Sequence, residues 1–153
     1  MTLWDYARVA WDKPGVSEAC LSLQDRHGQC VALLLWRAWA AAEGRSVSVA
    51  TGRRAIAVAR VWEVDIVAPL RTARRALAGG FEGDEPPERL RQAVRAVELD
   101  AERMLLDRLE ALTPPPTGVR SSGLGQPLST LVEAWNGARA ESLSLSLAAA
   151  LRG

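Results

Sequence analysis

Isoleucine occurs only twice in these 153 residues, and phenylalanine, tyrosine, lysine and histidine once each. So few aromatic and branched strand formers argue against a sheet. The two cysteines, Cys20 and Cys30, are too few for a disulfide scaffold. With one histidine they are also too few for a usual zinc tetrad, so neither metal nor cofactor is expected. The longest apolar run, residues 30–42, contains Arg37 and falls well short of the roughly 20 residues a membrane span needs. No charged-then-apolar-then-small leader opens the chain, and the cytoplasm is the expected compartment. A net charge of +1 excludes the strongly basic balance of a dedicated nucleic-acid binder.

Helix formers are what is abundant. Ala (26) and Leu (21) supply nearly a third of the chain. The expected fold is all-α: a single-domain bundle of five to seven helices over residues 1–153, one of them long and kinked. Helical spacing of apolar residues marks 3–11, ended by Lys13-Pro14-Gly15, and 16–27, ended by Gly28. Residues 29–43 are apolar nearly all round, as befits the centre of the core. A long helix over 51–77 follows from Ile56, Ala59, Trp62, Ile66, Leu70, Ala73 and Leu77. Within it Trp62, Val64 and Ile66 also alternate as a strand would, and Pro69 demands a kink against the carbonyl of Asp65. Residues 79–83 read as a Gly-rich linker. Over 86–112 the apolar seam is Leu90, Ala93/Val94, Val97, Ala101, Met104/Leu105, Leu109 and Leu112, with a charged reverse face. A Pro/Gly-rich loop is expected over 113–127, then short helices at 129–135 and around Leu143, Leu147 and Leu151.

No catalytic set assembles from these elements. Cys20 and His27 share a helical face but lie about 10 Å apart along its axis, beyond hydrogen-bond reach. Glu98 and Glu102 share a face flanked by Arg95 and Arg103, which reads as a solvated surface with ion pairs one turn apart. Charge is polarised along the chain: residues 45–80 carry +5 and residues 81–112 carry −4. Arg71, Arg74 and Arg75 group within one turn. They suit an anion or an acidic partner, or else simply face the acidic helix that follows in a hairpin of complementary charge. Six tryptophans are many for this length. Most belong in the core, or they wall a groove with Gln24, Asp25, His27 and Arg37 as its polar residues. Arg37, if buried, needs a carboxylate from Asp5, Asp25 or Asp65.

The string Leu3-Trp4-Asp5, Pro14-Gly15-Val16, Ala19-Cys20-Leu21, Leu23-Gln24-Asp25, Gly28, Leu33-Leu34-Leu35-Trp36 and Trp39 resembles a family of small proteobacterial proteins, the domain of unknown function 2390. Trp62, Pro69-Leu70-Arg71 and Arg74-Arg75-Ala76-Leu77 fit the same family. The resemblance covers about the first half of the chain. It implies a helical, bacterial, cytoplasmic protein and carries no activity or cofactor.

Three functional expectations result. The first is a non-enzymatic protein-interaction or adaptor module that uses Arg71, Arg74 and Arg75 to bind an unidentified protein or a second copy of itself. The alternative is a binder of a small or lipid-like molecule, with Gln24, Asp25, His27, Trp36, Arg37, Trp39 and Trp62 around a pocket. The third is an enzyme built on Gln24, Asp25 and His27.

Overall fold

Thr2 accepts a hydrogen bond from the Asp5 amide at 3.1 Å and starts the first helix, α1 (Leu3–Trp11). The computed structural model describes residues 1–79, 87–117 and 123–152, and those residues form helices joined by short turns, with no strand among them. Gly15 takes φ +80° to enter α2 (Val16–His27), and Gly28 takes φ +59° to leave it, conformations that disfavour any residue with a Cβ. Then come α3 (Val31–Ala42) and α4 (Val49–Trp62), the latter capped by Ser48. A single π-helical turn, Glu63–Val67, joins α4 to α5 (Ala68–Ala78) without a break. The set is completed by α6 (Glu88–Ala111), α7 (Gly125–Asn136) and α8 (Glu141–Arg152). With α4, the π turn and α5 counted as one rod, the described residues form seven rods, an all-α bundle.

The irregularity forced by Pro69 takes the form of that π turn. Proline has no N–H to give, and its ring presses on the carbonyl four residues back. The turn before it widens, and the Ala68 amide reaches back five residues to the Glu63 carbonyl. The strand alternative for Trp62–Ile66 is thereby settled as helix: the alternation is too short to outweigh the helical spacing on both sides.

The core centres on α3, where Leu33, Leu34, Trp36, Ala38 and Trp39 are all buried. Around it lie Leu3, Ala7 and Ala10 of α1, Val16, Cys20 and Leu23 of α2, Leu105 and Leu109 of α6, Leu128 of α7 and Leu147 of α8. Polar contacts lock the corners. The Leu3 amide donates to Glu110 of α6 at 2.7 Å. Buried Gln29 donates to the Val132 carbonyl and to Asn136, and the Trp135 indole donates to the Gly28 carbonyl at 2.8 Å. These bonds fasten α7 to the turn between α2 and α3.

Two expectations change. The apolar seam of α6 is buried only in its second half: Ala101, Leu105 and Leu109 lie inside, while Leu90, Val97 and Met104 are exposed. The inward position at the level of Val97 belongs instead to Glu98, which is buried. Second, the Pro/Gly-rich loop is shorter than expected, because α7 begins at Gly125 and takes Pro127 into its first turn, where a missing N–H costs nothing. Most of the expected Gly-rich linker, residues 80–83, lies outside the described residues.

Candidate functional site

An open cleft of about 640 Å³ lies between α1, α2, α3, α5 and α6. Helical spacing builds its walls. On α1, Trp4, Ala7, Arg8 and Trp11 recur at three- and four-residue steps, and on α6 so do Arg95, Leu99, Glu102 and Leu106. Leu21 and Gln24 of α2 and Val31, Ala32 and Leu35 of α3 complete the apolar side. The opposite side carries Arg71, Arg74 and Arg75 of α5 and Glu63 of the π turn.

The floor of the cleft is a compact charge cluster. Arg71 donates to Glu63 at 2.9 Å and lies 3.4 Å from Glu98 and 3.6 Å from Glu102. The side chains of Arg71 and Glu98 are only 11% and 7% exposed. Arg74 donates to the same Glu98 through two nitrogens. Burial works against the charge of Arg71, but Glu63, Glu102 and Glu98 outweigh it and hold the guanidinium above its ordinary pKa. Glu102 is the least matched member. Burial, and then the Glu98 carboxylate, push its pKa up, and Arg71 pulls it only part of the way back. The expected solvated face with ion pairs one turn apart is therefore corrected. Glu98 and Glu102 pair across helices with α5, because the π turn and α5 bring the basic segment onto the acidic helix.

The sequence-predicted residues scatter. Arg71, Arg74 and Arg75 all line the cleft, yet each is engaged within the chain, Arg75 with Asp25 at 2.9 Å on the surface. Arg75, then Gln24, lower the Asp25 pKa. Of the expected pocket residues Gln24, Asp25, His27, Trp36, Arg37, Trp39 and Trp62, the cleft takes Gln24. Trp36 and Trp39 are core, their indoles donating to Thr113 at 2.7 Å and to the Met1 carbonyl at 3.0 Å. Trp62 packs instead under Arg108, whose guanidinium carbon sits 4.3 Å from the ring centre. The backbone of His27 is occupied at the α2–α3 turn, accepting from Asn136, so Gln24, Asp25 and His27 do not converge on the cleft. Arg37 is half-buried and meets none of Asp5, Asp25 or Asp65 among the described residues, and burial lowers its pKa. Cys20 and Cys30 are buried, and burial pushes both thiols up to about 12, which removes the thiolate a nucleophile needs.

Sequence reasoning missed Trp4, Trp11, Arg8 and Arg95. Trp11 is 37% exposed, and neither its indole N–H nor that of Trp4 is bonded among the described residues. The signal was present: the spacing of Trp4, Arg8 and Trp11 places a guanidinium between two indoles on one helical face. Among the described residues no group of three or more His, Cys, Asp or Glu is placed to hold a metal ion. Nor is any helix long and apolar enough to cross a membrane.

No curated protein and no solved structure matches this chain. A family model described as "Protein of unknown function (DUF2390)" matches residues 2–109, which run from the cap of α1 nearly to the end of α6 and include every element that lines the cleft. With most of its length matched, the chain belongs to that family.

Proposed function

We propose that this is a non-enzymatic binding protein that holds a small ligand in the cleft between α1, α2, α3, α5 and α6. The observation that carries this reading is the cleft itself. About 640 Å³ lies within the range of ligand sites, and exposed Trp11 and Leu99 with half-buried Trp4 line it beside guanidinium groups. Arg71, Arg74, Arg75 and Gln24 enter the reading as lining residues. The enzyme reading loses ground, because it needs Gln24, Asp25 and His27 to meet at one place.

Native mass spectrometry of the protein isolated gently from its own cells tests the proposal. The expected result is a stoichiometric small-molecule adduct that denaturation releases. A bare chain, or a second polypeptide in place of the adduct, would overturn it.

The adaptor reading keeps one observation of its own. Leu90, Val97 and Met104 recur every seven residues along the outside of α6 and are exposed, as are Val61 just before the π turn and Val64 within it. Such a line suits a partner helix or a second copy of the chain. A charged residue in place of Val97 would then abolish a complex that forms with the unaltered chain, as seen by sedimentation. An unchanged sedimentation profile would remove this reading.

A further inference from the structure

The charges lining the cleft divide into those already matched and those left over. Arg71 and Arg74 are matched to Glu63, Glu98 and Glu102 on the floor, and Arg75 to Asp25 at the edge. Arg8 of α1 and Arg95 of α6 also line the cleft, and neither has an ion pair or hydrogen bond among the described residues. Both are exposed, and the carboxylate left unmatched beside them is Asp12. Two unmatched guanidiniums against one unmatched carboxylate leave a single positive charge at the rim. On the floor three carboxylates face two guanidiniums and leave one negative charge in excess, so an acidic head is favoured at the rim and disfavoured at the floor. The interior wall next to it is apolar and aromatic: Trp4, Trp11, Leu21 and Leu99. The Arg103 guanidinium carbon lies over the Trp4 ring, 5.3 Å from its centre. The cleft thus presents a flat apolar surface and, at one side, donors with nothing to bind.

We infer that the ligand of this cleft is an amphipathic monoanion, with a flat apolar body against Trp4 and Trp11 and an acidic head at Arg8 and Arg95. Guanidinium forks suit a carboxylate, sulfonate or phosphate head, because planar paired donors match two acceptor oxygens. Indoles receive a flat apolar body with little loss of side-chain freedom. The occupied state of Arg71 and Arg74 argues that they shape the floor and do not capture the head. The inference rests on the cleft being the ligand site.

Two fluorescent probes with the same aromatic body separate the claims: anilinonaphthalene sulfonate, which is anionic, and phenylnaphthylamine, which is neutral. The sulfonate is expected to bind once per folded chain, about tenfold more tightly than the neutral probe, the difference one good charge-assisted contact makes. Arg8→Gln combined with Arg95→Gln should erase that advantage and leave the neutral probe unchanged. These side chains support nothing else among the described residues, so thermal unfolding should not move. Trp11→Ala should weaken both probes together.

Equal affinities for the two probes, a preference for the neutral one, or indifference to the double substitution would overturn the anion assignment while leaving the cleft a ligand site. Binding of neither probe, or binding untouched by Trp11→Ala, would bring down the cleft reading and the anion assignment together.

Discussion

Two neighbouring parts of this bundle are held together by different forces. Around α3 the contacts are apolar: Leu33, Leu34, Trp36 and Trp39 are buried, and both indole donors are closed by bonds to Thr113 and Met1. Across the cleft, α5 buries no residue fully, and Arg71 and Arg74 tie it to Glu98 of α6. Apolar packing is additive and undirected, so α3 can be approached by five helices at once, α1, α2, α4, α6 and α7. Ion pairing needs matched geometry, and the desolvation it requires offsets much of the Coulomb gain. The lesson is that the two walls of one cleft are made of different material, and α5, with no fully buried residue, is the wall expected to open first in hydrogen exchange.

The comparison breaks most severely on the α3 side. Trp36→Ala should cost about 3–5 kcal/mol in chemical denaturation, because it leaves a large cavity and deprives Thr113 of its donor. The slowest-exchanging amides throughout the bundle, those that open only with global unfolding, should then exchange faster.

Glu98→Ala should cost somewhat less, about 3 kcal/mol, since two guanidiniums lose a buried carboxylate. Its mark is local. Hydrogen exchange should accelerate in α5 and the adjoining π turn, and stay unchanged in α3. Uniform acceleration would mean that the two regions are one cooperative unit.

Glu102→Gln sharpens the contrast in the other direction. The Glu102 carboxyl is raised above its ordinary 4.5 by burial and then by Glu98. It therefore holds its proton more tightly in the folded chain than in the unfolded one. Its penalty is absent below the ordinary carboxylate range and complete above the raised value, so stability falls as pH rises through that window. The glutamine variant should gain less than about 1 kcal/mol at neutral pH, because the side chain is 38% exposed, and should lack that dependence. Unfolding curves at several pH values decide this.

Arg75→Gln should have the smallest effect. Its pair with Asp25 is 53% and 46% exposed, and such pairs contribute about 0.5 kcal/mol or less. Carbon-detected titration should instead show the Asp25 carboxyl rising toward its ordinary range.

Much of the bundle was legible in the sequence. Helical spacing and the stops at Gly15 and Gly28 place α1 and α2, and the all-round apolar run places α3 at the centre. Reading failed where a charge does the work of an apolar group. Leu90, Val97 and Met104 form a good apolar line, yet Glu98 takes the inward position, because its partners Arg71 and Arg74 come from another helix that spacing within α6 cannot reveal. The candidate site was half legible for a related reason. The grouping of Arg71, Arg74 and Arg75 is a local pattern, but whether they face each other's counter-charges or a ligand is decided by tertiary pairing. Trp4 and Trp11 were passed over because the default place for tryptophan is the core, and only the packing of α1 against α6 leaves them at a cleft.

Lys13, the only lysine in the chain, donates its ammonium to the Leu151 carbonyl at 2.9 Å, at the end of α8. That bond joins the family-matched segment to a helix that lies beyond it. An engaged amine is slow to acylate and a released one is fast. Mild amine-selective labelling followed by peptide mass mapping, which sets the α-amine of Met1 apart, thus turns this one side chain into a built-in gauge of whether α8 is seated, with no other lysine to confuse the signal.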